Sequence, residues 1–176
     1  MKIGQPLKHL ASLAVVSGLV FLAVGSTDKP STSKHKAPAA PAPVQGTEKR
    51  LEYEVKRALG TSNRKVAKVS KIQVTGQTVH VYFSVDDNLT DGMIKTSAKM
   101  DVEDILKAVQ KSGYDYSEIT VLGTFPLQDK FGNSKESKVL HATYERSTVD
   151  RINWQGFLTD NMYDIGDGVW LHPTFR

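Results

Sequence analysis

The sequence predicts an α+β fold in which an antiparallel four-stranded sheet has two helices packed on one of its faces. Strict alternation of apolar and polar residues over 78–85 is typical of a half-buried strand. Apolar residues at helical spacing over 94–109 indicate a long amphipathic helix. The predicted elements follow the order helix, strand, strand, helix, strand, strand, so one α-β-β unit occurs twice, over about forty residues each time.

The first α-β-β unit begins with a short amphipathic helix. Thr47 is a suitable N-cap, apolar residues then recur on one face, and Gly60 ends the helix. A first strand over 66–74 and a second over 78–85 are joined by a glycine-containing turn, which predicts a β-hairpin. The polar side of the second strand bears His80, Tyr82 and Ser84.

The second unit begins with the longest predicted helix. Its apolar positions are Ile94, Ala98, Val102, Ile105 and Val109. Gly113 provides the C-terminal stop of this helix. A strand over 119–127, a polar loop over 128–137 and a strand over 138–146 complete the unit. Because Pro126 lacks a backbone N–H, we expect it on an edge strand or at a bulge.

The C-terminal segment is rich in aromatic and aliphatic residues. Ser147 or Thr148 is expected to cap a short helix at its start. The remainder is predicted to pack on the sheet, either over the face that the helices leave open or along an edge, and an aromatic ligand groove is the alternative. The residues predicted as possible ligand or partner contacts are Trp154, Trp170, Tyr163 and His172.

Residues 1–25 have the pattern of an export signal or of a single membrane anchor. Lys2 and Lys8 precede an uncharged apolar run over 10–24. This run is at the upper limit for a signal peptide and shorter than the roughly 20 residues of a membrane-spanning helix. Small residues allow cleavage after Gly25, so a cleaved signal and an uncleaved anchor are both consistent with the sequence. Either alternative predicts that the rest of the chain lies outside the cytoplasm.

The remaining chain divides into a linker and one domain. Four of the seven prolines lie within 26–46, together with serine, alanine and lysine. A segment of this composition cannot bury enough apolar surface to offset the entropy of ordering, which predicts a disordered linker. Residues 47–176 are predicted to form a single globular α+β domain.

The net charge of +4 belongs to the leader and linker rather than to the domain. Residues 1–46 contain five lysines and one aspartate, which leaves 18 basic and 18 acidic residues in 47–176. Because phosphate neutralisation supplies much of the affinity of DNA-binding proteins, this balance predicts that nucleic acid is not a partner. The expected partners are an envelope protein or polymer of unknown identity, and the membrane itself if the N-terminal helix is uncleaved.

The sequence contains no motif that indicates catalysis, a metal site or a cofactor. The chain has no cysteine, and it has no phosphate-binding loop, nucleophile elbow or zinc-binding histidine pair. The acidic loop 86–92 fails the EF-hand spacing and is better explained by turn and N-cap residues. A second oxygen-rich loop, with Asp160, Asp164 and Asp167, is typical of a solvated turn. We therefore predict a non-enzymatic protein without a metal or cofactor.

Four short segments are shared with a known group of proteins. They are Asp87-Asn88-Leu89-Thr90, Gly123-Thr124-Phe125-Pro126-Leu127, Asp129-Lys130-Phe131-Gly132-Asn133 and Ile152-Asn153-Trp154. On these segments, residues 72–176 resemble small exported or membrane-attached proteins of actinobacteria and their phages, which have no assigned activity. The resemblance implies a surface location and a partner of some kind, and it implies no catalytic residue. Such proteins often have a lipid-modified cysteine after the apolar run, whereas Ser26 stands there in this chain.

The preferred hypothesis is an extracytoplasmic binding or adaptor domain of unknown ligand, either tethered to the membrane or secreted. One alternative is a secreted hydrolase of cell-envelope material, if the polar residues Asp86, Asp87, His80 and His141 meet at one end of the sheet. The other alternative is an oligomerising envelope protein, with phage exclusion at the envelope as a conceivable role.

Overall fold

The computed structural model describes residues 42–176, so the predicted signal or anchor and all but the last few residues of the predicted linker lie outside the described part of the chain. The helices and strands are α1 (Glu48–Leu59), β1 (Val69–Thr75), β2 (Thr78–Ser84), α2 (Asp91–Ser112), β3 (Glu118–Gln128), β4 (Ser134–Glu145), α3 (Arg146–Val149) and β5 (Gly168–Leu171). None of the helices described within 42–176 has the length and apolarity needed to cross a membrane.

The five strands form one mixed sheet in the order β1-β2-β3-β4-β5. The prediction of an α+β fold is confirmed, but the prediction of a purely antiparallel four-stranded sheet is wrong. Both hairpins are antiparallel as expected, whereas β2 and β3 pair in parallel, with Val81 opposite Val121. Helix α2 is the reason, because its length returns the chain across the sheet so that β3 starts at the same end as β2.

The C-terminal segment adds the fifth strand along one edge of the sheet. Strand β5 pairs antiparallel with β4, with Trp170 opposite His141 and Leu171 opposite Leu140. Of the two predicted placements of this segment, the edge placement is therefore correct for 168–171. The short helix at its start forms as α3, but Glu145 is its N-cap residue and no side chain caps it. Thr148 instead donates its hydroxyl hydrogen bond to Asp167.

The two long helices begin and end where the capping residues predict. The Thr47 hydroxyl accepts a hydrogen bond from the backbone N–H of Arg50, and that of Thr90 accepts one from Met93. Gly113 ends α2 in the left-handed conformation, with φ of 66°, which a residue with a side chain adopts only at a cost. Local sequence alone is therefore sufficient to define α1 and α2.

Both long helices pack on the same face of the sheet and enclose one apolar core. The fully buried side chains of this core include Leu51, Val55, Val79, Val81, Ile94, Val102, Ile105, Ile119, Val121, Leu140 and Tyr144. An ion cluster joins the helices, since the buried Glu54 of α1 pairs with Arg50 at 2.6 Å and with Lys111 of α2 at 3.2 Å. The opposite face of the sheet has no helix over it within the described residues.

The folded domain starts a few residues before the predicted boundary at Thr47. The backbone N–H of Gly46 donates to the carbonyl of Ser112 at 2.8 Å, and the side-chain amide of Gln45 donates to the carbonyl of Lys111 at 2.7 Å. These bonds satisfy carbonyl groups at the C-terminus of α2 that have no partner within the helix. The last residues of the predicted linker therefore belong to the domain.

The β3–β4 hairpin is longer than predicted, and its turn is confined to 129–133. The carboxylate of Asp129 accepts hydrogen bonds from the backbone N–H groups of Phe131 and Asn133, which closes the turn tightly. Pro126 consequently lies in β3, a central strand. At Pro126 the strand pairs only with β4, because the ladder to β2 ends at Thr124, next to a register shift. The missing N–H of Pro126 thus breaks no hydrogen bond to β2, because β3 is at the edge of the sheet on that side at this point.

Candidate functional site

A row of five side chains crosses the open face of the sheet, and each strand contributes one of them. Residues directly paired across neighbouring strands project from the same face. The successive pairs in the sheet register give the row Lys71, Tyr82, Leu122, His141 and Trp170. The three central residues are half-buried by their neighbours, and Trp170 at the edge is 40% exposed. We call these five residues the aromatic row.

A second row of side chains runs parallel to the aromatic row. It consists of an amide, an imidazole and two hydroxyl groups. The same register places Gln73 opposite His80, His80 opposite Thr120, and Thr120 opposite Thr143. We call Gln73, His80, Thr120 and Thr143 the polar row. Thr120 is buried, and its hydroxyl donates to the carboxylate of Glu118 at 3.3 Å. The accessible polar groups of this row are therefore those of Gln73, His80 and Thr143.

Two lysines lie over the two aromatic rings of the aromatic row. The ammonium of Lys71 is 5.5 Å from the centre of the Tyr82 ring, and that of Lys138 is 4.6 Å from the centre of the Trp170 ring. Lys138 is exposed and comes from the position of β4 that pairs with Thr124. Each ring therefore has a cation on or beside its face, at distances typical of a cation–π contact.

The remaining charges of the open face are distributed unevenly. Glu118 pairs with Thr78 on one side and with Glu145 on the other, which places two carboxylates beyond the polar row. Burial lowers the pKa of His141, and the neighbouring Lys138 and His80 lower it further. The face is thus cationic beside the aromatic row, neutral along the polar row and acidic beyond it.

The four residues predicted as ligand or partner contacts separate into two pairs. Trp170 and His172 lie together at the sheet edge, with ring centres 6.3 Å apart in an edge-to-face arrangement. Only Trp170 presents an exposed surface, because the Nδ1 atom of His172 is engaged with Thr174 at 2.8 Å and caps the last turn of the chain.

Trp154 and Tyr163 lie elsewhere and pack against α2. The indole N–H of Trp154 donates to the side-chain amide of Gln110 at 2.7 Å, and the ring contacts Phe157 edge-to-face. The Tyr163 ring lies 5.7 Å from the ammonium of Lys99, and burial raises the pKa of its hydroxyl. Both residues pack against the core, whereas Trp170 is exposed at the edge of the sheet. That these residues contact a ligand or partner stays a prediction.

A buried ion triad holds the end of β2 against α2. The ammonium of Lys68, whose side chain is 2% exposed, contacts the carboxylates of Asp86 at 2.8 Å and Asp101 at 2.7 Å. Asp86 also accepts hydrogen bonds from Ser62 and Asn63. Burial raises the pKa of Asp101 to about 6, although Lys68 opposes this shift. We call Lys68, Asp86 and Asp101 the ion triad, and its contacts give it a structural role.

The four residues of the hydrolase hypothesis do not meet at one end of the sheet. Asp86 belongs to the ion triad on the helix side, and Asp87 is held to Asn63 through its backbone. His80 and His141 instead project from the open face. No acid and histidine of this group are therefore hydrogen-bonded to each other.

In the second oxygen-rich loop, the carboxylates of Asp160 and Asp167 are engaged in protein contacts. Asp160 pairs with Lys99 at 2.9 Å. Asp167 accepts hydrogen bonds from the backbone N–H of Glu145 at 2.7 Å and from Thr148 at 3.1 Å. Within 42–176, no group of three or more histidine and carboxylate side chains is placed to hold a metal ion.

An open cleft of about 620 Å³ lies between α3 and the loop before β5. Its floor is apolar, with Ile152, Phe157 and Ile165, and Arg151 and Asp164 are among the polar residues that line it. Among the carboxylates of the lining, Asp167 accepts hydrogen bonds from the backbone N–H of Glu145 and from the Thr148 hydroxyl. The lining residues by themselves do not specify one class of ligand.

Sequence reasoning did not identify Lys71, Tyr82, Leu122 or Lys138 as site residues. The alternation of apolar and polar residues in β2 predicted that Tyr82 and His80 lie on the polar side of their strand. No other local pattern indicated residues of the open face. Assembling the row requires the strand order and register, which local patterns do not contain.

No protein-family model matches this chain, and neither the curated proteins nor the solved structures include a significant match to it. The function has to be inferred from the residues and their arrangement. The aromatic row brings side chains from all five strands onto one face, with the polar row beside it.

Proposed function

We propose that this protein is an extracytoplasmic binding domain, tethered to the membrane or released, that contacts cell-envelope material through the open face of its sheet. The basic N-terminal stub and the apolar run that follows support export. The proline-rich composition of the stretch between them and the domain is typical of a spacer, which supports a domain held away from the membrane.

The aromatic row is the observation that supports binding at this face. Large aromatic and aliphatic side chains left accessible in a contiguous row are typical of an interaction surface, whereas isolated ones are common on any protein. Tryptophan and tyrosine gain most from such contacts, because they bury much apolar area and still keep a polar atom at the rim. Trp170 and Tyr82 have this character, and Leu122 lies between their strands.

The alternative of an envelope hydrolase has weaker support. Asp86 is held in the ion triad, the Asp87 carboxylate accepts from the backbone N–H of Asn88, and neither is hydrogen-bonded to His80 or His141. Nucleophilic catalysis typically uses a general base that a third group orients by a hydrogen bond, and these four residues do not form that arrangement. An oligomer formed through the open face is tested together with the binding proposal, because a second copy is one possible capture product.

Site-specific photo-cross-linking in intact producing cells tests the binding face. A photoreactive amino acid at Leu122, in the middle of the aromatic row, is expected to capture envelope material in the full-length chain. The matched control is Met100, which is 54% exposed on α2 and so lies on the helix side of the sheet. Capture from position 122 should disappear when Trp170→Ala is added.

Three outcomes of this experiment are informative. Equal capture from positions 122 and 100, or none from 122, contradicts the proposed binding face. Capture of a second copy of the chain from position 122 replaces the binding proposal by the oligomeric one.

The predicted location is tested separately by labelling with a membrane-impermeant amine reagent and by determining the mature N-terminal residue. We expect labelling of the exposed Lys71 and Lys138 in intact cells. A mature chain that begins at Ser26 identifies a cleaved signal, and one that begins at or near Met1 and remains with membranes identifies an anchor. Labelling only after lysis contradicts the extracytoplasmic location.

A further inference from the structure

We infer that the ligand of the open face is an anionic glycan, that is, a chain of sugar rings carrying carboxylate or phosphate groups. This inference rests on the proposed function and specifies the chemistry of the same surface. It depends on three features of that surface, which are the spacing of the aromatic rings, the neighbouring polar row and the placement of the charges.

The aromatic row provides a flat surface on which sugar rings can stack. Tyr82 and Trp170 lie on strands separated by three strand spacings, which corresponds to roughly 14 Å along the row. Leu122 and His141 fill the positions between them, so the row has no deep pocket. A sugar ring has an apolar face of C–H groups that packs against an aromatic ring or an aliphatic side chain. An extended glycan lying along this row can therefore contact both rings at once.

The polar row supplies the hydrogen bonds that the rims of the sugar rings require. Hydroxyl groups of a sugar are donors and acceptors at the same time, and amide and hydroxyl side chains match this property better than charged groups do. Gln73 and Thr143 present such groups on the open face, and neither packs into the core. A glycan stacked on the aromatic row would place one edge beside these residues.

The charges favour a glycan that carries negative groups. Lys71 and Lys138 lie at the two ends of the ring pair, each over one ring. An exposed cation–π contact is worth only about 0.5–1 kcal/mol, so a lysine can leave the ring face and pair with a carboxylate or phosphate beside the stacked sugar. Glu118 and Glu145, beyond the polar row, repel an anionic chain and restrict it to the aromatic side.

A single-stranded nucleic acid is the other polymer that stacks on aromatic residues of a sheet face. Phosphate neutralisation supplies much of the affinity for nucleic acid, and residues 47–176 carry equal numbers of basic and acidic side chains. A glycan gains in addition from hydrogen bonds between its many hydroxyl groups and the polar row. The carboxylates of Glu118 and Glu145 on the same face also oppose a closely spaced phosphate backbone. The observations therefore favour the glycan, and the nucleic acid is included as an outcome of the test.

Isothermal titration calorimetry on the full-length chain, in a detergent without a sugar headgroup, tests the glycan with defined probes. The probes are a galacturonic acid hexamer, its uncharged methyl ester, a glutamic acid hexamer and a thymidine oligonucleotide. We expect the galacturonic acid hexamer to bind, the methyl ester to bind several-fold more weakly, and the glutamic acid hexamer not to bind. Raising the salt concentration should weaken the binding of the galacturonic acid hexamer more than the binding of its methyl ester.

Variants separate the contributions of the rings and of the cations. Trp170→Ala should lower the affinity for the galacturonic acid hexamer by about tenfold or more. Lys138→Met should weaken binding of the acidic hexamer and leave that of the ester unchanged. Phe131→Ala is the matched control, because Phe131 is an exposed ring with Lys130 over it at 4.9 Å, but it lies in the β3–β4 turn. This control should bind like the unmodified chain.

The glycan inference is overturned if the glutamic acid hexamer binds as well as the sugar, if the oligonucleotide binds more tightly, or if Trp170→Ala has no effect. It is also overturned if neither sugar probe binds at millimolar concentration. The proposed function survives these results when cross-linking from Leu122 still depends on Trp170. It fails with the inference when that cross-linking is absent as well.

Discussion

The two faces of the sheet differ in the burial and pairing of their charged side chains. Lys68 and Lys71, which are three positions apart in the chain, show the difference. Lys68 points to the helix side, where its side chain is 2% exposed and contacts two carboxylates. Lys71 lies on the open face, exposed to solvent, with its ammonium over the Tyr82 ring. The first lysine is fixed by partners within the chain, whereas the second is free to exchange its partner.

The difference follows from the cost of removing a charge from water. On the helix side an unpaired charge is expensive, so every buried charged group described there has an opposite charge beside it. On the open face water screens the charges, and a lysine over an aromatic ring gains little. The helix side therefore determines the stability of the domain, and the open face is available for binding.

The largest effect is expected from Lys68→Met, which leaves Asp86 and Asp101 close together without their cation. Breaking a buried ion pair in this way costs about 3–5 kcal/mol. Lys71→Met, at the matched position on the open face, should change the free energy of unfolding by less than about 0.5 kcal/mol. Urea denaturation near neutral pH measures both variants. Similar losses in the two variants would contradict the distinction between the faces.

Neighbouring residues of β3 provide the second comparison. A Cβ atom added at Gly123 would lie 3.1 Å from the Phe83 ring and 3.2 Å from the Cβ of Leu140, both in the core. Gly123→Ala should therefore lower the free energy of unfolding by about 1–3 kcal/mol through overpacking. Leu122→Ala, on the open face, should cost less than Gly123→Ala and should weaken glycan binding. Thermal unfolding and calorimetric titration of the two variants give the two readouts.

The third prediction concerns the pH dependence of stability on the helix side. Burial raises the pKa of Asp101 to about 6 in the folded state, against about 3.9 in an unfolded chain. Since the folded-state pKa is the higher one, this carboxyl contributes stability that is fully present below about pH 4 and is lost as the pH rises through about 6. The loss should be on the order of 3 kcal/mol, since one pKa unit corresponds to about 1.4 kcal/mol.

Asp101→Asn tests this assignment, because it removes the titrating group and keeps an oxygen facing Lys68. The free energy of unfolding of the variant should vary less between about pH 4 and pH 7 than that of the unmodified chain. Asp86 responds in the opposite direction, since hydrogen bonds and Lys68 lower its pKa in spite of burial. An unchanged pH profile in Asp101→Asn would show that another group is responsible.

The smallest predicted effect is a pH dependence of binding on the open face. The pKa of His141 is lowered by burial and by the nearby Lys138 and His80, whereas Glu118 acts against this. The ring is therefore neutral at pH 7 and gains a positive charge as the pH falls through its pKa. Affinity for the galacturonic acid hexamer should rise about two- to threefold between about pH 7.5 and pH 5.

His141→Gln should remove most of this increase in affinity. The glutamic acid hexamer serves as the control for charge without sugar. The methyl ester of the galacturonic acid hexamer serves as the control for sugar without charge. Affinity that falls on acidification would indicate that protonation disrupts the face instead of strengthening its attraction for the ligand.

Much of the fold was predictable because it depends on neighbours in sequence. Thr47 and Gly113 define helix ends through their own side chain or backbone, and the alternation of β2 separates Val81 from Tyr82. The parallel pairing of β2 with β3 was not predictable in this way. The direction of β3 depends on the end of the sheet to which α2 brings the chain back, and this is known only once the sheet is assembled.

The candidate site was less predictable than the fold. Trp154 and Trp170 both lie in the aromatic-rich C-terminal segment, and the sequence does not distinguish them. In the structure the Trp154 ring packs on α2, whereas the Trp170 ring is exposed at the sheet edge. Strand β5 has only four residues and no extended alternation, so the sequence shows neither its existence nor its pairing with β4. Without β5, Trp170 has no place in the aromatic row.

The sequence by itself determined the helices, the hairpins, the neutral charge of the domain and the absence of cysteine chemistry, because each of these depends on residue type and short-range spacing. Only the tertiary structure decided which side chains share a face. Strand order and register bring together Tyr82, Leu122, His141 and Trp170, which are up to 88 positions apart in the chain. The physical reason is that a sheet aligns residues by backbone hydrogen bonds between strands, and those bonds form without regard to the distance along the sequence.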